Sequence, residues 1–140
     1  MLKLISILAA CALTSGDVRA MLREQGFPGP LNGRETIRYV GHIQQDRTDY
    51  QIYLYRGLFK AAVVDHGVNW LIVVTNDATY LGGYHIPMPT SCKINGQKVI
   101  CAAGVLEFSK KGPPGTILFD GEVLSFERGA GSERHDDRRL

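Results

Sequence analysis

The chain has 140 residues, 44% hydrophobic and 21% charged, which is enough apolar material for one packed domain and too little polar bias for a disordered polymer. The 16 Lys and Arg nearly balance 14 Asp and Glu, and no basic block is interleaved with aromatics, so a nucleic-acid groove is excluded. The 16 Gly and 6 Pro cluster between apolar runs, which implies many tight turns and an antiparallel β protein rather than a helical bundle.

Lys3 followed by the apolar stretch Leu4 to Leu13 has the basic-then-apolar order of an export signal. The stretch is too short for a lasting membrane helix, which takes about 20 apolar residues. Leu8-Ala9-Ala10-Cys11 looks like a bacterial lipobox, which makes Cys11 the expected lipidation site and residues 1–10 the signal. A rival cut follows Ala20, where Val18 and Ala20 sit at suitable offsets, and the plainest alternative is an ordinary buried N-terminal helix. Asp17 is placed to cap a short helix running to Gln25, with Val18, Met21 and Leu22 on one stripe, Gly26 past its end and Pro28 beyond. The Pro/Gly segment from Phe27 to Gly33 forbids helix and strand alike, so 11–33 is expected to be a tether.

From Arg34 the signals are all strand. Thr36 to Gln44 and Tyr50 to Arg56 flank a polar turn; Gly57 is expected to break the second strand, and Leu58 to Asp65 to form another, closed by His66-Gly67 as a tight turn. The central hairpin follows. Trp70, Ile72 and Val74 lie on one face and Leu71 and Val73 on the other, the pattern of a strand covered on both sides, with Asn76 and Asp77 supplying the turn. Gly82-Gly83 in the returning strand marks a bulge, a bend or a close backbone approach. Tyr39-Val40-Gly41-His42-Ile43 is weakly echoed by Tyr80 to Ile86, an imperfect match without a third copy.

Asn95-Gly96 and Asp120-Gly121 are the dipeptides of two-residue type I′ hairpin loops. The second loop places Ile117, Phe119, Leu124 and Phe126 on one face, and Val105 to Phe108 is a short strand between the hairpins. With Asn95-Gly96 as the loop, Cys92 faces Val99 and lies diagonal to Cys101, about 7–8 Å away at Cα, so a disulfide needs a twist or a bulge. An exported domain favours the bond, and Cys92–Cys101 is the expected disulfide. After Arg128 the polar tail is expected to be disordered.

His42, His66, His85 and His135, with Asp46, Asp49, Asp65 and Asp77, are the acid–base or metal candidates, but none falls in a motif. No catalytic residue, metal site or cofactor is therefore assigned. Trp70, Tyr80, Tyr84, His85, Tyr53 and Tyr55 form the candidate ligand-binding set, set against core filling as their other use, and Trp70 and Phe119 are expected in one core.

Together these features predict an all-β domain over 34–128, an antiparallel meander of about eight short strands forming a curled sheet, small barrel or sandwich. A signal and short helix precede it and a polar tail, 129–140, follows. The expected protein is an exported, lipid-anchored component of a bacterial cell envelope facing the periplasm, the alternative being a soluble secreted or periplasmic one. It is expected to act as a non-catalytic interaction or structural module. The alternatives are a small-molecule-binding β-barrel with an aromatic-lined pocket and, more distantly, a hydrolytic enzyme. Its expected partner is an envelope protein or a small apolar or aromatic ligand, with membrane contact through the lipid alone and no nucleic acid.

Overall fold

The computed structural model describes residues 15–60 and 65–129; the expected signal, Cys11 and the tail beyond Gly129 lie outside them. One helix, α1 (Ser15–Glu24), precedes ten strands: β1 (Thr36–Gln45), β2 (Thr48–Lys60), β3 (Asp65–Thr75), β4 (Tyr80–Ile86), β5 (Cys92–Asn95), β6 (Lys98–Cys101), β7 (Val105–Glu107), β8 (Thr116–Phe119), β9 (Glu122–Ser125) and β10 (Glu127–Arg128). The main sheet has the order β1-β2-β3-β4-β10, β5-β6-β7 form a second and β8-β9 a third. All pairings are antiparallel, and no sheet closes into a barrel among the described residues.

The main sheet is buried on both faces, as the unbroken apolar run of β3 requires. Trp70, Ile72 and Val74 pack with Val18, Met21, Leu22 and Phe27 from α1 and the segment after it. Leu71 and Val73 pack on the other side against Val99, Leu106, Ile117 and Phe119 from the two small sheets. Trp70 and Phe119 thus belong to different cores on opposite faces of one sheet, contrary to the expectation of a shared core.

The helix begins two residues before the expected cap, leaving Asp17 within the first turn, where a carboxylate complements the helix dipole. Its end is a Schellman motif: the N–H of Phe27 donates to Leu22 O at 2.9 Å, that of Gly26 to Arg23 O at 3.4 Å, and Gly26 has φ +78°. Gln25 then joins the helix end to the β3–β4 turn, donating to Ala78 O at 2.9 Å and accepting from the Tyr80 N–H at 2.7 Å. In that turn the left-handed residue is Ala78, at φ +62°, rather than Asn76 or Asp77. The turn closes by a bond from the Ala78 N–H to Thr75 O, a type I turn followed by a left-handed residue.

The Tyr-x-Gly echo is a repeated β-bulge. In the β1–β2 ladder the register shifts between Tyr39 and Gly41, leaving Val40 as the extra residue. In the β3–β4 ladder it shifts between Gly82 and Tyr80, leaving Leu81 extra. Gly41 pairs with Ile52, Ile52 with Val73 and Val73 with Gly82, so β1 and β4 bend on the same row. Both glycines have left-handed φ, +155° and +152°. A Cβ on Gly41 would meet Ile94 at 2.6 Å, and one on Gly82 would meet the Glu127 carbonyl of the paired strand and, at 2.7 Å, the Phe126 ring, so each marks a close approach to the sheet backbone.

Gly57 does not end β2, and Asp65-His66-Gly67 is not a turn but the start of β3. Leu58 pairs with Gly67 and Lys60 with Asp65, so the expected strand Leu58 to Asp65 is divided between two long strands; 61–64 lie outside the described residues. Gly57 is tolerated because the Tyr55 ring lies over it, within 2.7 Å of where a Cβ would be.

The Asp120-Gly121 loop is as expected, with Phe119 opposite Glu122 and φ of +50° and +80° at the two loop residues. The other hairpin turns one residue later: Asn95 opposes Lys98, which makes Gly96-Gln97 the loop, with Gly96 at φ +61° in the first central position as a type II′ turn needs. That shift places Cys92 directly opposite Cys101 rather than diagonal to it. The two form a disulfide with Cα atoms 4.1 Å apart, and no bulge is required.

Candidate functional site

Of the six aromatic residues predicted for ligand binding, Tyr53, Tyr55, Trp70 and Tyr80 share the helix-side face and Tyr84 lies on the other. The Leu81 bulge is the cause: without it Tyr80 and Tyr84, four apart on one strand, would point the same way. The helix-side cluster is filled by its own rings, Phe27 standing edge-on to Tyr55, Trp70 and Tyr80 at 4.8, 5.6 and 5.7 Å. His85 stacks on Trp70 at 4.9 Å with the rings 7° from parallel and remains exposed.

Two of the buried tyrosines anchor loops. Tyr55 donates its hydroxyl to Pro30 O, and Tyr84 donates to Pro114 O at 2.5 Å, each reaching a carbonyl in a Pro/Gly segment that has few ladder bonds of its own. Burial pushes the phenols of Tyr55, Tyr80 and Tyr84 well above the usual tyrosine range; Glu35 adds to this at Tyr55 and Glu127 at Tyr80. These rings are therefore neutral donors over the whole physiological range. Glu35 is itself almost enclosed, accepts from the Gly33 N–H at 3.0 Å and lies 3.3 Å from Arg19 Nε, fixing the linker to α1.

A depression of about 220 Å³ opens on the opposite face, at the end of the sheet where β1 begins and β4 ends. Arg38, Arg56, Thr36, Asn69, Pro89 and Thr90 are among the residues that line it. Thr36 opposes Arg56, Arg56 opposes Asn69 and Asn69 opposes Ile86, so one row across four strands forms its floor. Arg38 opposes Leu54 and is the diagonal neighbour of Arg56 on the same face. Both arginines are exposed, and among the described residues neither has a carboxylate partner. Asn69, 6% exposed, brings a side-chain amide to the lining. Two guanidiniums, the Asn69 amide and the Thr36 hydroxyl, with no acid in the lining, make the depression cationic and rich in hydrogen-bond donors.

Sequence reasoning missed this site because of the Val40 bulge. The register set by the β1–β2 turn, with Gln45 opposite Thr48 and Gly41 opposite Ile52, would if unbroken oppose Arg38 to Tyr55, on the face away from Arg56. The Gly41 signal was present in the sequence, but its effect on Arg38 appears only in the paired ladder.

The structure joins one of the predicted His and Asp pairs. His42 Nδ1 lies 2.8 Å from Asp49 Oδ1 on the helix-side face, with the imidazole half-exposed. Asp46 sits at φ +55° in the β1–β2 turn, and Asp77 accepts from the Thr75 hydroxyl, which holds its carboxyl below the usual range. Asp65 and His66 open β3, and His135 lies outside the described residues. Among the described residues no three His, Cys, Asp or Glu side chains gather as a metal site would require. A second hollow, about 310 Å³, lies beside the disulfide between Lys93 and Ile100; neither it nor the arginine-lined depression includes Trp70 or Tyr84.

No protein family, curated protein or solved structure matches the chain.

Proposed function

We infer that this is an exported protein of a bacterial cell envelope, lipid-anchored through Cys11, that acts by binding rather than by catalysis and makes its contact at the arginine-lined depression. The observation that carries the binding assignment is the pair Arg38 and Arg56 beside Asn69, cationic and donor-rich with no acid in the lining. Guanidiniums left without carboxylates on a folded surface are suited to an external anion, because their planar forks match its oxygens. Export is supported by Lys3, the apolar stretch, Leu8-Ala9-Ala10-Cys11 and the Cys92–Cys101 disulfide, a bond that persists in oxidising compartments.

Two measurements test this. Cys11→Ala is expected to release the protein from the membrane fraction or to block processing, and full-length protein with Met1 retained in the cytosol overturns export. In a thermal-shift panel of anionic, neutral and cationic small molecules, only anions are expected to raise the melting temperature. Arg38→Gln/Arg56→Gln is expected to abolish that rise, and a panel in which no anion binds overturns the depression as the contact surface.

A further inference from the structure

We propose that the depression is a phosphomonoester site: it takes the terminal, doubly charged phosphate of a small molecule or a lipid headgroup. This rests on the depression being the binding surface and adds the class of anion. The first argument is charge. Two guanidiniums share one pocket, the residues lining it include no acid, and neither guanidinium has an ion-pair partner among the described residues. A carboxylate or a phosphodiester, each with one negative charge, neutralises half of that. A phosphomonoester carries about −1.5 to −2 at neutral pH and matches both.

The second argument is geometry. Diagonal cross-strand neighbours stand about 7–8 Å apart at Cα, so Arg38 and Arg56 rise from one face at a spacing from which two long side chains can close on a single group from different sides. A tetrahedral group with three free oxygens has acceptors for both forks and for a further donor at the floor, where a planar carboxylate has only two oxygens. That donor is Asn69, whose side-chain amide lies in the lining and carries N–H groups that an anion oxygen can accept from. Thr36 adds a hydroxyl in the same floor row. The depression, about 220 Å³, also has room for part of the group that bears the phosphate.

The test uses the full chain carrying Cys11→Ala, so that no anchor contributes, and titrates it with inorganic phosphate, phenyl phosphate, diphenyl phosphate and benzoate. Saturable binding of inorganic phosphate and phenyl phosphate is expected, with the diester and benzoate weaker by roughly tenfold or more, as loss of one charge-assisted contact implies. Arg38→Gln and Arg56→Gln are each expected to weaken phenyl phosphate by roughly ten- to a hundredfold while leaving the melting temperature of the free protein unchanged, since both side chains are exposed. Asn69→Asp, close in shape but opposed in charge, should abolish binding; should that variant fail to fold, the arginine variants still decide.

Vesicles of phosphatidylcholine containing phosphatidic acid distinguish the source. Arginine-dependent vesicle binding that phenyl phosphate displaces identifies a lipid headgroup, and binding of free phenyl phosphate alone identifies a soluble one. Equal affinity for monoester and benzoate overturns the proposal but leaves the anion receptor standing. Arginine variants that bind phosphate like the parent overturn both.

Discussion

Tyr55 and Tyr84 show how single side chains set the loops of this molecule. Each buries its ring in a core, on opposite faces of the main sheet, and donates its hydroxyl to a proline carbonyl in a segment with few other bonds. Tyr84→Phe keeps the ring and removes the donor, so it is expected to cost about 1 kcal/mol, seen as a lower urea midpoint at unchanged slope. The same burial dictates an alkaline limit. The phenols of Tyr55, Tyr80 and Tyr84 are raised in the folded state, so above about pH 10, the unfolded tyrosine value, the unfolded chain releases protons that the folded chain retains. Their contribution to stability is complete below that pH and is lost as pH rises from it through the raised values of the folded state. Denaturant midpoints are therefore expected to fall above about pH 10, with tyrosinate absorbance from these rings appearing only as the protein unfolds.

At the scale of elements, the two bulges and the shifted hairpin decide which side chains meet. Gly82 is held at φ +152° with Phe126 where a Cβ would go, whereas Gly67 has ordinary backbone angles and no atom within 4 Å of the corresponding position. Gly82→Ala is expected to destabilise by about 2 kcal/mol or more, since backbone strain and a ring displacement add. Gly67→Ala is expected to lie within about 0.5 kcal/mol of the parent or to stabilise it slightly by restricting the unfolded chain. Thermal unfolding of the two variants side by side checks the contrast, and equal losses would mean that the bulge is not what Gly82 supports. In the Gly96-Gln97 hairpin, a one-residue change in turn position converted a diagonal cysteine pair into a directly opposed one.

At the scale of the whole molecule, the main sheet has, among the described residues, a separate core on each face, one closed by the helix and the other by the two small sheets. Trp70→Ala removes a buried ring from the helix-side core and is expected to cost about 3–5 kcal/mol. Phe119→Leu, in the other core, is expected to cost about 1 kcal/mol. Because the two residues belong to different clusters, the double variant should lose the sum to within about 0.5 kcal/mol, and a larger departure in equilibrium unfolding would show that the two cores act as one. The arginine-lined depression belongs to this scale as well. Its floor is one row drawn from all four long strands, so no segment of the chain holds it alone.

What the amino-acid sequence determined by itself was local. Period-two apolar alternation, the two-sided run of β3, Asp120-Gly121 as a I′ loop and Gly26 as a helix stop are each read within a few residues, because strand faces and turn backbones are set by nearest-neighbour sterics. Only the tertiary structure decided what depends on register. It continued β2 past Gly57 because the Tyr55 ring covers that glycine, and it moved Cys92 opposite Cys101 by one step of a turn. It also sent Tyr80 and Tyr84 to opposite cores and brought Arg38 to the face of Arg56, each through one extra residue, Leu81 in β4 and Val40 in β1. The physical reason is the same in every case: side chains alternate with a period of two, so a single unpaired residue reverses the face of everything beyond it. Whether that residue is extruded is settled by what packs across the sheet, here Ile94 over Gly41 and Phe126 over Gly82.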